Sequence, residues 1–110
     1  MYMNERDEIC IKRMKEEINF IENSLKDIDK DIFLNNEIYQ HAITMSFIVI
    51  GENANHLSEK FIKKHKEIEW DSIISVRNIA SHGYWQLNME QIWKAVEEDI
   101  PKLKTFFDEL

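Results

Sequence analysis

Residues 36–61 read NEIYQHAITMSFIVIGENANHLSEKF, and the way this stretch is read decides the fold. Ile38, Ala42, Met45 and Val49 recur at helical spacing as one stripe; Ile43, Ile50, Ala54, Leu57 and Phe61 form another. The segment is apolar on more than one side, and such a helix belongs in the middle of a bundle. It starts at Asn35 or Asn36 and runs to about Lys64, because only Gly51 interrupts the pattern. Glycine costs about 1 kcal/mol relative to alanine in a helix interior, so Gly51 points to another backbone approaching closely there.

Working outward, Ile11, Met14, Ile18, Ile21 and Leu25 place one stripe on an earlier helix that Asn4 and Asp7 start. The polar stretch Asp27 to Asp31 reads as the end of that helix and a short connection. A third helix is expected from Asp71 to about Ser81 with Ile73, Ile74, Val76, Ile79 and Ala80 as its apolar set, and Gly83 at its C-cap. A fourth begins at Asn88, with Gln91 in the capping-box position and Ile92, Trp93, Val96 and Ile100 on its apolar side. Pro101 marks a kink or a fresh helix start, and Leu103, Phe106, Phe107 and Leu110 close the chain. Gly51, Gly83 and Pro101 are too few punctuators for an all-β fold. The expectation is an all-α fold: an antiparallel bundle of about four to five helices forming one domain over residues 1–110.

The 110 residues carry 14 Lys+Arg against 21 Asp+Glu, a net charge of −7, and are 44% hydrophobic. A chain of this size builds a core without staples. The single cysteine, Cys10, excludes an internal disulfide and fits a reducing compartment. No run approaches a membrane span, and the polar start from Met1 to Asp7 is no signal peptide, so a cytoplasmic location is expected. Acidity repels phosphate at long range, so any contact with nucleic acid must be local. Lys60, Lys63, Lys64 and Lys66, interleaved with Glu59, Glu67 and Glu69, form the one basic cluster. It reads either as a phosphate contact or as a solvated helix end.

The four histidines, His41, His56, His65 and His82, are dispersed and form no metal-binding motif, so neither metal nor cofactor is expected. Polar chemistry concentrates instead in Arg77-Asn78-Ile79-Ala80-Ser81-His82-Gly83-Tyr84-Trp85. Asn78 and His82 share a helix face, whereas Arg77 is rotated about 140° from His82. Arg77 and His82 therefore converge only if the helix ends near Ser81, or across a dimer. An arginine beside a histidine suits RNA cleavage: the imidazole exchanges protons with the 2′-hydroxyl and the leaving 5′-oxygen, and the guanidinium holds the phosphate. The plain structural alternative is an arginine salt bridge and a histidine capping a helix C-terminus. Glu52, in a helix expected to be largely buried, either orients Arg77 or His82, or is an exposed or interface carboxylate. Tyr39 and His41 read as surface or interface, Trp85 and Trp93 as core or dimer contacts, and Trp70 as a wedge between helices.

Arg77…His82-Gly83-Tyr84 resembles the Arg-x4-His-x-Tyr motif of HepT toxins, in the HEPN superfamily of all-helical ribonucleases. Ile50-Gly51-Glu52-Asn53-Ala54-Asn55-His56-Leu57-Ser58 is similar to that family's Ile-Gly-Glu-Ala-containing helix. Trp70-Asp71, Arg77-Asn78 and Glu97 to Leu103 also match in order and distance, so that the resemblance spans about residues 37 to 107. It implies a HEPN-like, homodimeric, metal-independent endoribonuclease toxin whose composite site uses both subunits. On this resemblance Arg77 would stabilise the phosphate, His82 would be the acid/base, and Asn78 the polar residue that follows the arginine. Tyr84 resembles the tyrosine to which a cognate MntA-type minimal nucleotidyltransferase antitoxin transfers AMP. The alternative function is a non-catalytic helical dimer serving as the partner or substrate-recognition subunit of such a nucleotidyltransferase.

Overall fold

The computed structural model describes residues 3–110; Met1 and Tyr2, at the head of the polar start, lie outside the described residues. Six α-helices account for the fold: α1 (Glu5–Ser24), α2 (Lys30–Leu34), α3 (Glu37–Asn55), α4 (Glu59–Lys64), α5 (Trp70–His82) and α6 (Met89–Asp108). A 3-10 turn, Tyr84–Gln86, joins α5 to α6. The described residues contain no strand, as expected of an all-α chain.

Side chains start five of the six helices. Asn4, Asp29, Asn36, Ser58 and Asn88 each accept a backbone N–H from the first turn, at 2.7 Å for Asn4 and Asp7 N. Each such cap is worth about 1 kcal/mol. Asn4, Asn36 and Asn88 are the starts expected from the sequence.

α3 is the central element and packs against α1, α2 and α5. Ile11, Met14, Ile18, Ile21 and Leu25 of the first stripe are buried, and Ile43, Ile50 and Ala54 of α3 meet them in one core. Trp93 of α6 lies against Phe33 of α2, with ring centroids 5.2 Å apart, and Ile100, Leu103 and Phe107 extend the core along α6. Trp70 is the buried wedge that was expected: its Nε1–H donates to the His65 carbonyl at 2.9 Å, and its ring meets Phe61 and Phe106 edge-on.

The long second helix is not continuous. It ends at Asn55, and α4 restarts at Glu59. The cause is Asp7, buried at the start of α1, which accepts both Ser58 N–H at 2.7 Å and Ser58 Oγ–H at 2.6 Å. Ser58 N–H is thereby diverted from the helical ladder, and the Ser58 hydroxyl accepts Phe61 N–H to cap α4. Leu57 and Phe61 nevertheless stay buried. Because the start of α1 meets the chain just beyond α3, these two helices run antiparallel.

Two further boundaries differ from expectation. α2 occupies part of what reads as a connection, since a five-residue helix anchored by Phe33 is too short to show a period. α5, Trp70–His82 with Gly83 as its C-cap, is within a residue of the expected span at each end. Pro101 lies inside an unbroken α6, with its ring on the exposed side. The Ile38–Val49 stripe of α3 is only partly covered: Ala42 and Val49 are half-buried, but Ile38 is 80% and Met45 58% exposed. α3 is therefore central to the core on one side and open on the other. No helix of the described residues is long and apolar enough to cross a membrane.

Candidate active site

At Gly51 the helices α3 and α5 approach closely. A Cβ on it would lie 2.9 Å from the Ile73 carbonyl oxygen and 3.0 Å from Arg77 Cβ, so the close approach read from the sequence is present and α5 is the helix that makes it. This contact sets Glu52, the next residue of α3, beside Arg77 of α5.

Arg77 Nε–H donates to Glu52 Oε2 at 2.7 Å, and Arg77 Nη1–H donates to Asn78 Oδ1 at 2.9 Å. The other Glu52 oxygen, Oε1, lies 3.0 Å from His56 Nε2, one helical turn further along α3. The result is a polar chain running His56, Glu52, Arg77, Asn78 across two helices. Glu52 is half-exposed rather than buried, at 42% for its side chain. Its carboxyl is held below the ordinary glutamate range, first by the Arg77 hydrogen bond and then by that of His56. Ionised, it accepts from both neighbours. Glu52 thus touches Arg77 and not His82, and Arg77 Nη2 takes no hydrogen-bond partner among the described residues.

His82 stands apart. α5 ends at His82 itself, with Gly83 as its C-cap, and this end does not bring the imidazole into hydrogen-bonding contact with Arg77. Its side chain is exposed at the C-terminal end of α5, and the described residues offer it neither a hydrogen bond nor an ion pair. Gly83 then turns the backbone at φ 150°, a conformation that side chains rarely adopt. A Cβ there would also strike the Trp85 ring at 2.5 Å. Trp85, 80% exposed, is a surface residue in the single chain.

Tyr84 points inward. Its ring lies on that of His41, with centroids 4.6 Å apart, and its hydroxyl is buried without a hydrogen-bond partner. Lys60, Lys63 and Lys64 are exposed on α4. Lys60 and Lys64 line a groove with Asn4, Asp7, Ser58 and Phe61, and Lys63 pairs with Glu59 at 3.7 Å. None of the three lysines joins the Glu52–Arg77 chain. His56, which does join it, was not singled out from the sequence; its place four residues after Glu52 is the signal that was available.

Comparison with known proteins bears on this geometry. A family model described as "Ribonuclease HepT-like" matches residues 14–110. "Probable ribonuclease HepT" of Thermococcus cleftensis is 31% identical over 100 residues, covering 91% of both chains. "Putative RNase MJ1380" of Methanocaldococcus jannaschii is 33% identical over 89 residues, covering 81% of this chain and 82% of that one. No solved structure matches. The matched span takes in α3, α5 and the whole Glu52–Arg77–His82 region, so the resemblance first read from the motif is sound: the chain belongs to the ribonuclease HepT-like family.

Proposed function

We propose that this chain is a metal-independent endoribonuclease acting as a homodimer, the toxin of a module in which a MntA-type minimal nucleotidyltransferase is the antitoxin. The observation that carries this reading is the hold of Glu52 on Arg77 Nε, which leaves the Nη2 edge of a half-exposed guanidinium for a phosphate. Arg77 stabilises the phosphoryl oxygens, and Asn78 keeps the guanidinium plane in place. His82 donates a proton to the leaving 5′-oxygen. Because α5 runs straight from Arg77 through His82, the His82 that works with a given Arg77 comes from the second subunit.

The dimer is supported by the open stripe of α3. Ile38, Met45 and Glu52 are seven residues apart and lie on one face, so the exposed apolar surface leads directly to the polar chain. Exposed Ile79 and Trp85 add apolar area from α5 and the turn after it. Pairing two copies over this face covers those side chains and brings the two sites together.

Silencing follows from Tyr84. Its hydroxyl oxygen attacks the α-phosphorus of ATP, an O–P bond forms, pyrophosphate leaves and the phenolic proton passes to solvent. The AMP phosphate adds negative charge and bulk near Arg77, which excludes an RNA backbone. Since the hydroxyl is buried, the Tyr84–Gln86 turn must swing outward at Gly83 for the transfer to occur. Lys60, Lys63 and Lys64 serve as outlying RNA contacts.

Purified, unmodified protein incubated with labelled RNA tests the reading. Cleavage is expected, with Arg77→Ala and His82→Ala each lowering it by about 10²-fold or more. Intact RNA together with retained binding of the nucleotidyltransferase would favour a non-catalytic partner subunit instead. Intact mass with and without the nucleotidyltransferase should show a gain of AMP that maps to Tyr84.

A further inference from the structure

RNA cleavage by internal attack needs two proton transfers, and in one chain His82 makes no hydrogen bond with the guanidinium that would hold the phosphate. The histidine that is coupled to Arg77 is His56, through the two oxygens of Glu52 at 3.0 and 2.7 Å. An ionised carboxylate only accepts, so the bond to Glu52 requires the proton on His56 Nε2. That fixes the tautomer and leaves the lone pair of the neutral ring on Nδ1. A carboxylate aligning an imidazole in this way is the arrangement by which the aspartate of a Ser-His-Asp triad holds its general-base histidine.

We propose that His56 is the general base of this site, its Nδ1 taking the proton of the RNA 2′-hydroxyl while Glu52 aligns the ring and Arg77 holds the phosphate. The proposal rests on the ribonuclease reading and adds a residue to it. The 2′-oxygen forms a bond to phosphorus and its proton passes to Nδ1. The P–O5′ bond breaks, and the 5′-oxygen takes a proton from His82. The products are a 2′,3′-cyclic phosphate and a 5′-hydroxyl. His56 is exposed, at 57% for its side chain, and sits at the C-cap of α3, where a substrate reaches it. Glu52 on its own helix faces it, and Arg77 of α5 stands on the far side of that carboxylate. No group of α1, α4 or α6 is ion-paired to it among the described residues.

The experiment compares kcat and KM across pH for the wild-type protein, His56→Ala and His56→Asn. Thermal melting and binding of a 2′-deoxy oligonucleotide, which cannot be cleaved, are measured alongside. A general base makes kcat rise with pH as it loses its proton. The expected result is a loss of about 10²-fold or more in kcat, disappearance of that rising limb, and oligonucleotide affinity within about twofold of wild type. An unchanged kcat, or a lowered kcat with the rising limb intact, overturns the role of His56 while leaving the ribonuclease reading in place. Wild-type protein that leaves RNA uncut at every pH overturns both. If His56→Ala melts early, His56→Asn, which keeps a polar group beside Glu52, supplies the same comparison.

Discussion

A methyl group at Gly51 would meet the Ile73 carbonyl oxygen, a backbone atom with little freedom to retreat. Gly51→Ala should therefore destabilise the fold by about 1–3 kcal/mol through overpacking, measured by chemical denaturation, and should lower RNA cleavage because Arg77 sits on the helix that is pushed away. The carboxyl of Glu52 is lowered in the folded chain by Arg77 and His56. A group of that sign contributes stability that is fully present above its unfolded pKa and is lost as pH falls through the folded value. The Glu52–Arg77 tie should thus hold at neutral pH and loosen only below the ordinary glutamate range. Carboxyl-carbon NMR checks this: Glu52 should titrate below the exposed glutamates, and a midpoint among theirs would contradict the geometry.

Among the elements, the junction between α3 and α4 shows how a distant residue resets a boundary. Asp7 accepts two hydrogen bonds from Ser58, 51 residues away, and is itself buried. Asp7→Ala leaves the Ser58 N–H without its partner, at an expected cost of about 1–3 kcal/mol seen as a lower unfolding free energy. The starts at Asn4, Asn36 and Asn88 were legible in the sequence because a cap is a local event, one side chain and an N–H two or three residues on. The break at His56 to Ser58 was not, because the apolar period passes through it unchanged: Leu57 and Phe61 remain buried. Pro101, read as a kink or a fresh helix start, starts no new helix. Its ring sits on the outer side of α6, and the packing of Ile100 and Leu103 keeps the helix continuous across the missing N–H.

For the whole molecule, the open face is where the proposed dimer would form. Ile38 and Met45 are apolar, exposed and in line with Glu52, an arrangement that a second copy would cover. Met45→Glu should convert a dimer into a monomer in sedimentation equilibrium and abolish cleavage while the monomer stays folded by circular dichroism. A wild-type protein that sediments as a monomer would count against the shared site. The net charge of −7 belongs to the same scale: on the proposed function, RNA contact would depend on the few cations near α5 and α4, and cleavage should weaken with rising salt.

The amino-acid sequence by itself determined the helical class, the stripe that α1 buries, the helix starts at Asn4, Asn36 and Asn88, the close approach at Gly51 and the Arg77–His82 motif. Each of these is a matter of local period, local capping or residue type. Only the tertiary structure decided that Glu52 holds Arg77 and not His82, that His56 shares the same carboxylate, that Tyr84 turns inward onto His41, and that α3 breaks at Asp7's partner Ser58. These depend on which helix faces ride against one another. Periodicity fixes a face on its own helix, but the partner of that face is chosen by packing between residues far apart in the chain.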